Sequence, residues 1–167
     1  MDINLLPVIN AEGRILNFDT ELDFSEKSEA GVIFLSPVSV SGSFLNIGGT
    51  LELKASGKTK LRLTCDRCCE EYDRDFSFEI SELLKKEDMR GEEDNNPDII
   101  FFRGNSVTID QIVFDSIYTA LPAKSLCKED CKGLCHVCGK NLNFGSCDCS
   151  KNTVDPRFEA LDKFFEM

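Results

Sequence analysis

Nine cysteines constrain this chain more than any other feature. They stand at positions 65, 68, 69, 127, 131, 135, 138, 147 and 149, three in one short stretch and six crowded near the end. The opening MDINLLPVIN has neither a positive flank nor an apolar run long enough for a secretory leader, so the expected compartment is the cytoplasm, where thiols stay reduced. Reduced thiols in pairs read as metal ligands. The stretch SLCKEDCKGLCHVCGKNLNFGSCDCSKN, from Ser125 to Asn152, carries six of them and almost no large apolar residues. A segment so poor in core-forming side chains needs a cross-link to hold a shape.

Ahead of that segment the chain reads as β-rich. Val38-Ser39-Val40, Leu51-Glu52-Leu53, Leu61-Arg62-Leu63 and Phe76 to Ile80 alternate with the period of two that sets one face of a strand on a core and the other in water. Gly42, Gly48-Gly49 and Gly57 punctuate these runs and predict turns or bulges. Several short strands at this spacing suggest an α+β architecture built on an antiparallel sheet or partly closed barrel. Ser81 is placed to cap a short helix through Lys86, and Arg90 to Pro97 (RGEEDNNP) has the charge of a solvated loop. Ile99 to Phe102 has strand length. From Asp110 the spacing of Ile109, Ile112, Val113, Ile117 and Leu121 draws one apolar helical stripe, predicted to cover the sheet and to stop before Pro122. In DPRFEALDKFFEM, Asp155 and Pro156 suit a helix start, and Phe158, Leu161, Phe164 and Phe165 fall on one side. The expected division is a β-rich main domain over 1–123 with one covering helix, and a cysteine-rich zinc-binding tail over 124–167 ending in a short helix.

Charge narrows the partners. The 19 basic and 30 acidic side chains leave a net charge of −11, which repels nucleic acid and anionic lipid over most of the surface. The imbalance is local: 70–123 carries 5 basic and 14 acidic groups, whereas 51–69 carries 5 basic and 2 acidic. Lys54, Lys58, Lys60, Arg62 and Arg67 in that basic segment are the candidate RNA contacts. Their alternation with apolar residues is equally what the solvent face of any half-buried strand shows.

The cysteine spacings carry the chemistry. In TCDRCCEEY, Cys65 and Cys68 form a Cys-x-x-Cys turn between two alternating runs, a knuckle in which two thiolates converge on one soft, tetrahedral ion such as zinc. Cys135-His136-Val137-Cys138-Gly139 is a second knuckle, and Cys147-Asp148-Cys149 offers two more sulfurs. Cys127 and Cys131 complete the candidate set. Eight thiolates suffice for two closed four-sulfur sites. Alternatively, Cys65 and Cys68 join Cys135 and Cys138 as a split ribbon with the others free. Spacing does not choose between these. Cys69 reads as a plain thiol and His136 as an exposed spacer. One histidine, no Gly-x-Ser-x-Gly and no phosphate-binding loop leave the common hydrolase and nucleotidase constellations unfilled, so the protein is expected not to be an enzyme.

The knuckle TCDRCCEEY, the segment VTIDQIVFDSIYTALPAKSLC, the tail CKGLCHVCGKNLN and the ending DPRFEALDKF together resemble, in that order, the YceD family, also called DUF177. The resemblance covers about residues 30 to 165 and implies a part in accumulation of the large-subunit ribosomal RNA. Within the family the Cys65–Cys68 knuckle is widespread and the cysteine-rich tail occurs in only some members. On this basis the expected function is a non-enzymatic factor for large-subunit ribosomal RNA accumulation or ribosome assembly. Its partner would be a basic ribosomal protein or a precursor of that RNA, with no membrane and no small-molecule substrate. The alternative is a thiol redox or zinc-storage protein.

Overall fold

The computed structural model describes residues 1–27, 29, 31–91 and 97–149. The chain runs β1 (Asp2–Asn4), α1 (Leu6–Ile9), β2 (Ile15–Leu22), β3 (Ile33–Phe34), β4 (Val38–Ile47), β5 (Thr50–Thr64), β6 (Glu71–Lys86), β7 (Ile99–Phe102), β8 (Ser106–Thr108) and α2 (Asp110–Ala120). The main sheet is curled into a half-barrel of order β2-β4-β5-β6-β7, with β3 pairing to β5 beside the end of β4. Its joins are antiparallel except β6 to β7, which is parallel; β1 and β8 form a separate two-stranded ladder.

The alternating pattern explains the long central strands. Along β5, Leu51, Leu53, Thr59, Leu61 and Leu63 are buried while Lys54, Ser56, Lys58 and Lys60 face solvent. Leu51–Leu53 and Leu61–Leu63, read from the sequence as separate runs, are thus one strand of 15 residues. Gly57 does not interrupt it: a Cβ there would stand 2.3 Å from the Phe78 ring on β6. Gly42 likewise lies inside β4, where a Cβ would meet Ala55 Cβ at 2.4 Å. At Gly42 the backbone of β5 comes too close for a side chain, at Gly57 the Phe78 ring fills the space, and neither glycine is a turn or bulge. Gly48 and Gly49 are the turn, with φ of +59° and +88°. Two successive positive φ values match the twist of a tight hairpin.

A second expectation also gives way. Ser81 to Lys86 is not helical but the last third of β6, which pairs with β5 without a break from Glu71↔Thr64 to Lys85↔Thr50. Leu84 is fully buried on the core side, and a helix would have left its rungs on β5 unpaired. Residues 92–96 of the expected loop and the whole expected terminal helix lie outside the described residues.

α2 begins at Asp110 and stops where expected: Leu121, at φ −62° and ψ 139°, has the extended backbone that a following proline imposes. Ile112, Val113, Phe114 and Ile117 are buried in the same cluster as the inner side chains of the sheet. The Phe114 ring meets Phe24 at 5.6 Å and Phe34 at 6.3 Å, so residues before β3 share this core. Asn46, 3% exposed, is one of its few buried polar side chains. Its amide donates to the carbonyls of Val8 and Ile9 at 2.8 and 2.9 Å, and its oxygen accepts from Gly49 N at 2.9 Å. One side chain thereby fastens α1 to the β4–β5 hairpin.

Candidate metal centres

The turn between β5 and β6 is a knuckle closed by main-chain bonds: Cys65 N donates to Glu70 O at 2.9 Å and Cys69 N to Cys65 O at 2.8 Å. These bonds curl the chain so that Cys65 and Cys68 aim the same way. After α2 the chain returns across this turn. Asp66 N donates to Ser125 O at 2.8 Å, Ser125 N donates back to an Asp66 carboxylate oxygen at 2.6 Å, and Arg67 donates to Cys131 O at 2.9 Å. Cys127 and Cys131 are thus delivered to the knuckle from 59 and 66 residues away, with Cys68 Sγ to Cys127 Sγ at 3.7 Å and Cys65 Sγ to Cys131 Sγ at 3.8 Å.

A tetrahedral ion with metal–sulfur bonds of about 2.3 Å has sulfur–sulfur edges of about 3.8 Å, so the spacing fits such an ion. All four sulfurs lie within 4.8 Å of one another, with Cys65, Cys68 and Cys131 buried. Burial drives the Cys65 thiol up, but main-chain N–H groups from Cys127, Arg67 and Cys68 outweigh it and bring the group down to about 6. Cys127 is pushed up to about 12, by burial and then by the neighbouring sulfurs. Crowded thiols of this kind do not all ionise together without a cation between them. Either this group or the second can hold a metal ion.

Cys135, Cys138, Cys147 and Cys149 form the second group, also within 4.8 Å. Its knuckle repeats the first. Gly139 N donates to Cys135 O at 2.8 Å, as Cys69 N does to Cys65 O, and Gly139 has φ +72° where Cys69 has +58°. The N–H groups of Cys138 and Val137 lower the Cys135 thiol to about 6, and the Cys138 sulfur, then burial, push Cys149 up to about 12. This group is the more open of the two: Cys138 is exposed and Cys147 and Cys149 are half-buried.

The eight cysteines singled out from the sequence therefore gather in two fours, and Cys65 and Cys68 meet Cys127 and Cys131 in place of Cys135 and Cys138. The first group spans the boundary expected at 123. Cys69 takes the position that glycine fills in the second knuckle, the one feature of TCDRCC that spacing alone obscured. Asn143 carries no signal in the cysteine spacing. Its amide donates to Cys131 Sγ at 3.3 Å and its carbonyl accepts from Lys132 N at 3.0 Å, joining the two knuckles. The backbone bond from Leu134 N to Arg67 O, 3.1 Å, makes a further link.

The basic side chains are placed differently. Lys54, Lys58 and Lys60 stand exposed on the outer face of β5. Lys54 pairs with Glu52 at 2.7 Å, Arg62 holds Asp73 of β6 through two bonds of 2.7 and 3.2 Å, and Arg67 is spent on the Cys131 carbonyl. The Arg62 guanidinium holds the Asp73 carboxyl below its usual range. His136 is exposed.

Comparison with known proteins adds what geometry does not. The model of a family described as "Large ribosomal RNA subunit accumulation protein YceD" matches residues 53–165. Two curated relatives are both named "Large ribosomal RNA subunit accumulation protein YCED homolog 1, chloroplastic". The one from Arabidopsis thaliana is 25% identical over 160 residues, covering 78% of this chain and 49% of its own. The one from Zea mays is 27% identical over 148 residues, covering 71% and 50%. This chain thus spans about half the length of these relatives. No solved structure matches it. No helix among the described residues is long and apolar enough to cross a membrane.

Proposed function

The chain belongs to the YceD family, and from that premise we propose that it serves large-subunit ribosomal RNA accumulation as a non-catalytic factor that grips a basic ribosomal protein. The observation that carries this reading is the outer face of β6, where Glu71, Asp75 and Glu79 stand exposed on one strand, in the same row as the Asp73 that Arg62 engages. A row of carboxylates at strand spacing attracts a cationic protein and repels RNA phosphates. The candidate phosphate contacts are weaker support for direct RNA binding, because Arg62 and Arg67 are already engaged within the fold.

The metal in this reading is zinc, one ion in each four-sulfur group, and its work is structural. Cys65, Cys68, Cys127 and Cys131 would clamp the returning chain on the β5–β6 turn, and Cys135, Cys138, Cys147 and Cys149 would shape the segment beyond. Four thiolates close the shell and leave no position for a reacting water. Such sites need a reducing compartment, where thiols are not lost to disulfides.

A tagged pull-down identifying both protein and RNA tests the proposal. The expected result is recovery of a basic large-subunit protein, lost when Glu70, Glu71, Asp73 and Asp75 are replaced by Lys and affected less when Lys58, Lys60 and Arg62 are replaced by Glu. RNA capture at near-physiological salt without a protein partner, lost only in the second variant, would replace the adaptor with an RNA-binding module. Zinc that is weakly held and substoichiometric would favour storage or thiol redox chemistry.

A further inference from the structure

Antiparallel strands exchange main-chain bonds on every second rung, and the rungs between turn their N–H and C=O groups outward. The Cys65 N to Glu70 O bond fixes that alternation for β5 and β6. Counting along the register, Leu63/Tyr72, Leu61/Arg74, Thr59/Phe76, Gly57/Phe78 and Ala55/Ile80 are the bonded rungs. Lys60, on an intervening rung, agrees: its N–H donates to Ser36 Oγ at 3.0 Å and its carbonyl accepts from Leu35 N at 2.8 Å, both on the side away from β6. On β6 the same rungs turn Asp73, Asp75, Ser77, Glu79 and Ser81 away from β5. β7 takes up β6 only from Leu83 to Lys86. Those five residues, all exposed, therefore present their main-chain donors and acceptors on an edge that no other strand pairs among the described residues.

Edges of this length are usually blunted by proline, a bulge or charged side chains, which turn away strands of like charge. Here β6 has no proline, its register runs unbroken, and the charges on its open rungs are negative. At the far end of the edge, against Glu79 to Glu82, lies a cleft of about 640 Å³ between β6, β7 and α2, with Ile100, Phe102 and Ile112 among its apolar walls and Glu82 and Asp115 among its acids.

We propose that this open edge of β6 receives an extended basic segment of the partner protein as an added strand. The incoming chain would bond to the main chain of Asp73 to Ser81, about nine residues or roughly 30 Å. On its outer face it would set lysine or arginine beside Asp75 and Glu79. Its other face would continue the apolar inner face of β6, at Phe76, Phe78 and Ile80, and reach the cleft at its end, so the recognised pattern is basic–apolar alternation. A second copy of this chain is disfavoured as occupant, because edge-to-edge pairing would bring carboxylates of both copies together. The inference rests on the protein-partner reading above and specifies its mode.

The test uses the metal-loaded full chain and a synthetic peptide of about twelve residues alternating lysine and valine, long enough to span the edge. Its control has the same composition in two blocks. Amide exchange read by NMR should slow at Asp73, Asp75, Ser77, Glu79 and Ser81, with little change at the intervening residues, and the block peptide should bind more weakly. Ser77→Pro removes an N–H that faces the edge and not β5, so it should weaken peptide binding by about tenfold or more with little change in melting temperature. Should that variant fold poorly, Asp75→Lys with Glu79→Lys leaves the backbone intact and should lose the lysine peptide. Absence of saturable binding, protection elsewhere, indifference to these substitutions, or edge amides already protected in the free protein would each overturn strand addition. If the pull-down still recovers the basic ribosomal protein with Ser77→Pro, the mode is wrong and the adaptor reading stands. If the peptide behaves as stated but no such protein is recovered, the reverse holds.

Discussion

Two left-handed residues close the two knuckles, and they differ in what they cost. Cys69, at φ +58°, has a side chain where the backbone favours glycine, whereas Gly139 fills the matching position freely. An L side chain in that region costs about 1–2 kcal/mol. Cys69→Gly is therefore expected to hold or raise stability by up to about 1 kcal/mol, offset in part by unfolded-chain entropy, and Gly139→Ala to lower it by about 1 kcal/mol. Urea melts of the metal-loaded protein measure both. Asn46 is the opposite kind of residue, irreplaceable because three bonds converge on it. At roughly 1 kcal/mol for each bond, Asn46→Ala should destabilise by about 2–3 kcal/mol, read as a fall in the denaturation midpoint without a change in slope. Neither role was legible in the sequence. Asn46 reads there as one polar residue beside a Gly-Gly turn, and Cys69 as a spare thiol, since both depend on backbone geometry that spacing does not encode.

At the scale of elements, the strands were readable wherever one face is buried and the other wet. Val38–Val40, Leu51–Leu53, Leu61–Leu63 and Phe76–Ile80 all lie in strands, and Ile99–Phe102 is β7. What failed was continuity. Local propensity marked Gly57 and Ser81 as breaks, but pairing with a long neighbour overrides a weak local preference. β1, α1 and β2 gave no clear signal because β2 is half-exposed for most of its length and α1 has only four residues. The close approach at Gly57 yields a direct check. A methyl group there must displace the Phe78 ring, which is 4% exposed and has little room to move. Gly57→Ala should cost about 1–3 kcal/mol by overpacking. Gly104→Ala, with open space around its Cβ but φ +78°, should show a cost of backbone origin only, about 1 kcal/mol. Paired thermal melts with Phe78→Leu added should relieve the first and leave the second unchanged.

Across the whole molecule, the two cysteine groups should respond differently to loss of metal. Apparent binding energies of structural zinc sites are about 10–16 kcal/mol, large enough to order a segment with few apolar side chains. Stripping metal should leave the β4–β5–β6 sheet protected from exchange while 124–149 becomes protease-sensitive. Cys65→Ser should disturb the sheet end as well as the returning chain, whereas Cys147→Ser should affect only the residues around the second knuckle. Equal collapse from both would show that the groups are energetically one. Lower pH should release metal, since protons and the cation compete for the same thiolates. The eight ligand candidates were all visible as spacing, but their partition was not, because it depends on where α2 delivers the chain. That delivery has a consequence for the order of assembly. The halves of the first group are separated by 59 and 66 residues of chain, while the second group closes within one short loop. Loop closure over the longer span depends on non-local contacts that form slowly. On refolding with metal present, the second group should load first, and uptake at the first should track formation of the sheet and α2, so that the ion there locks a topology already built.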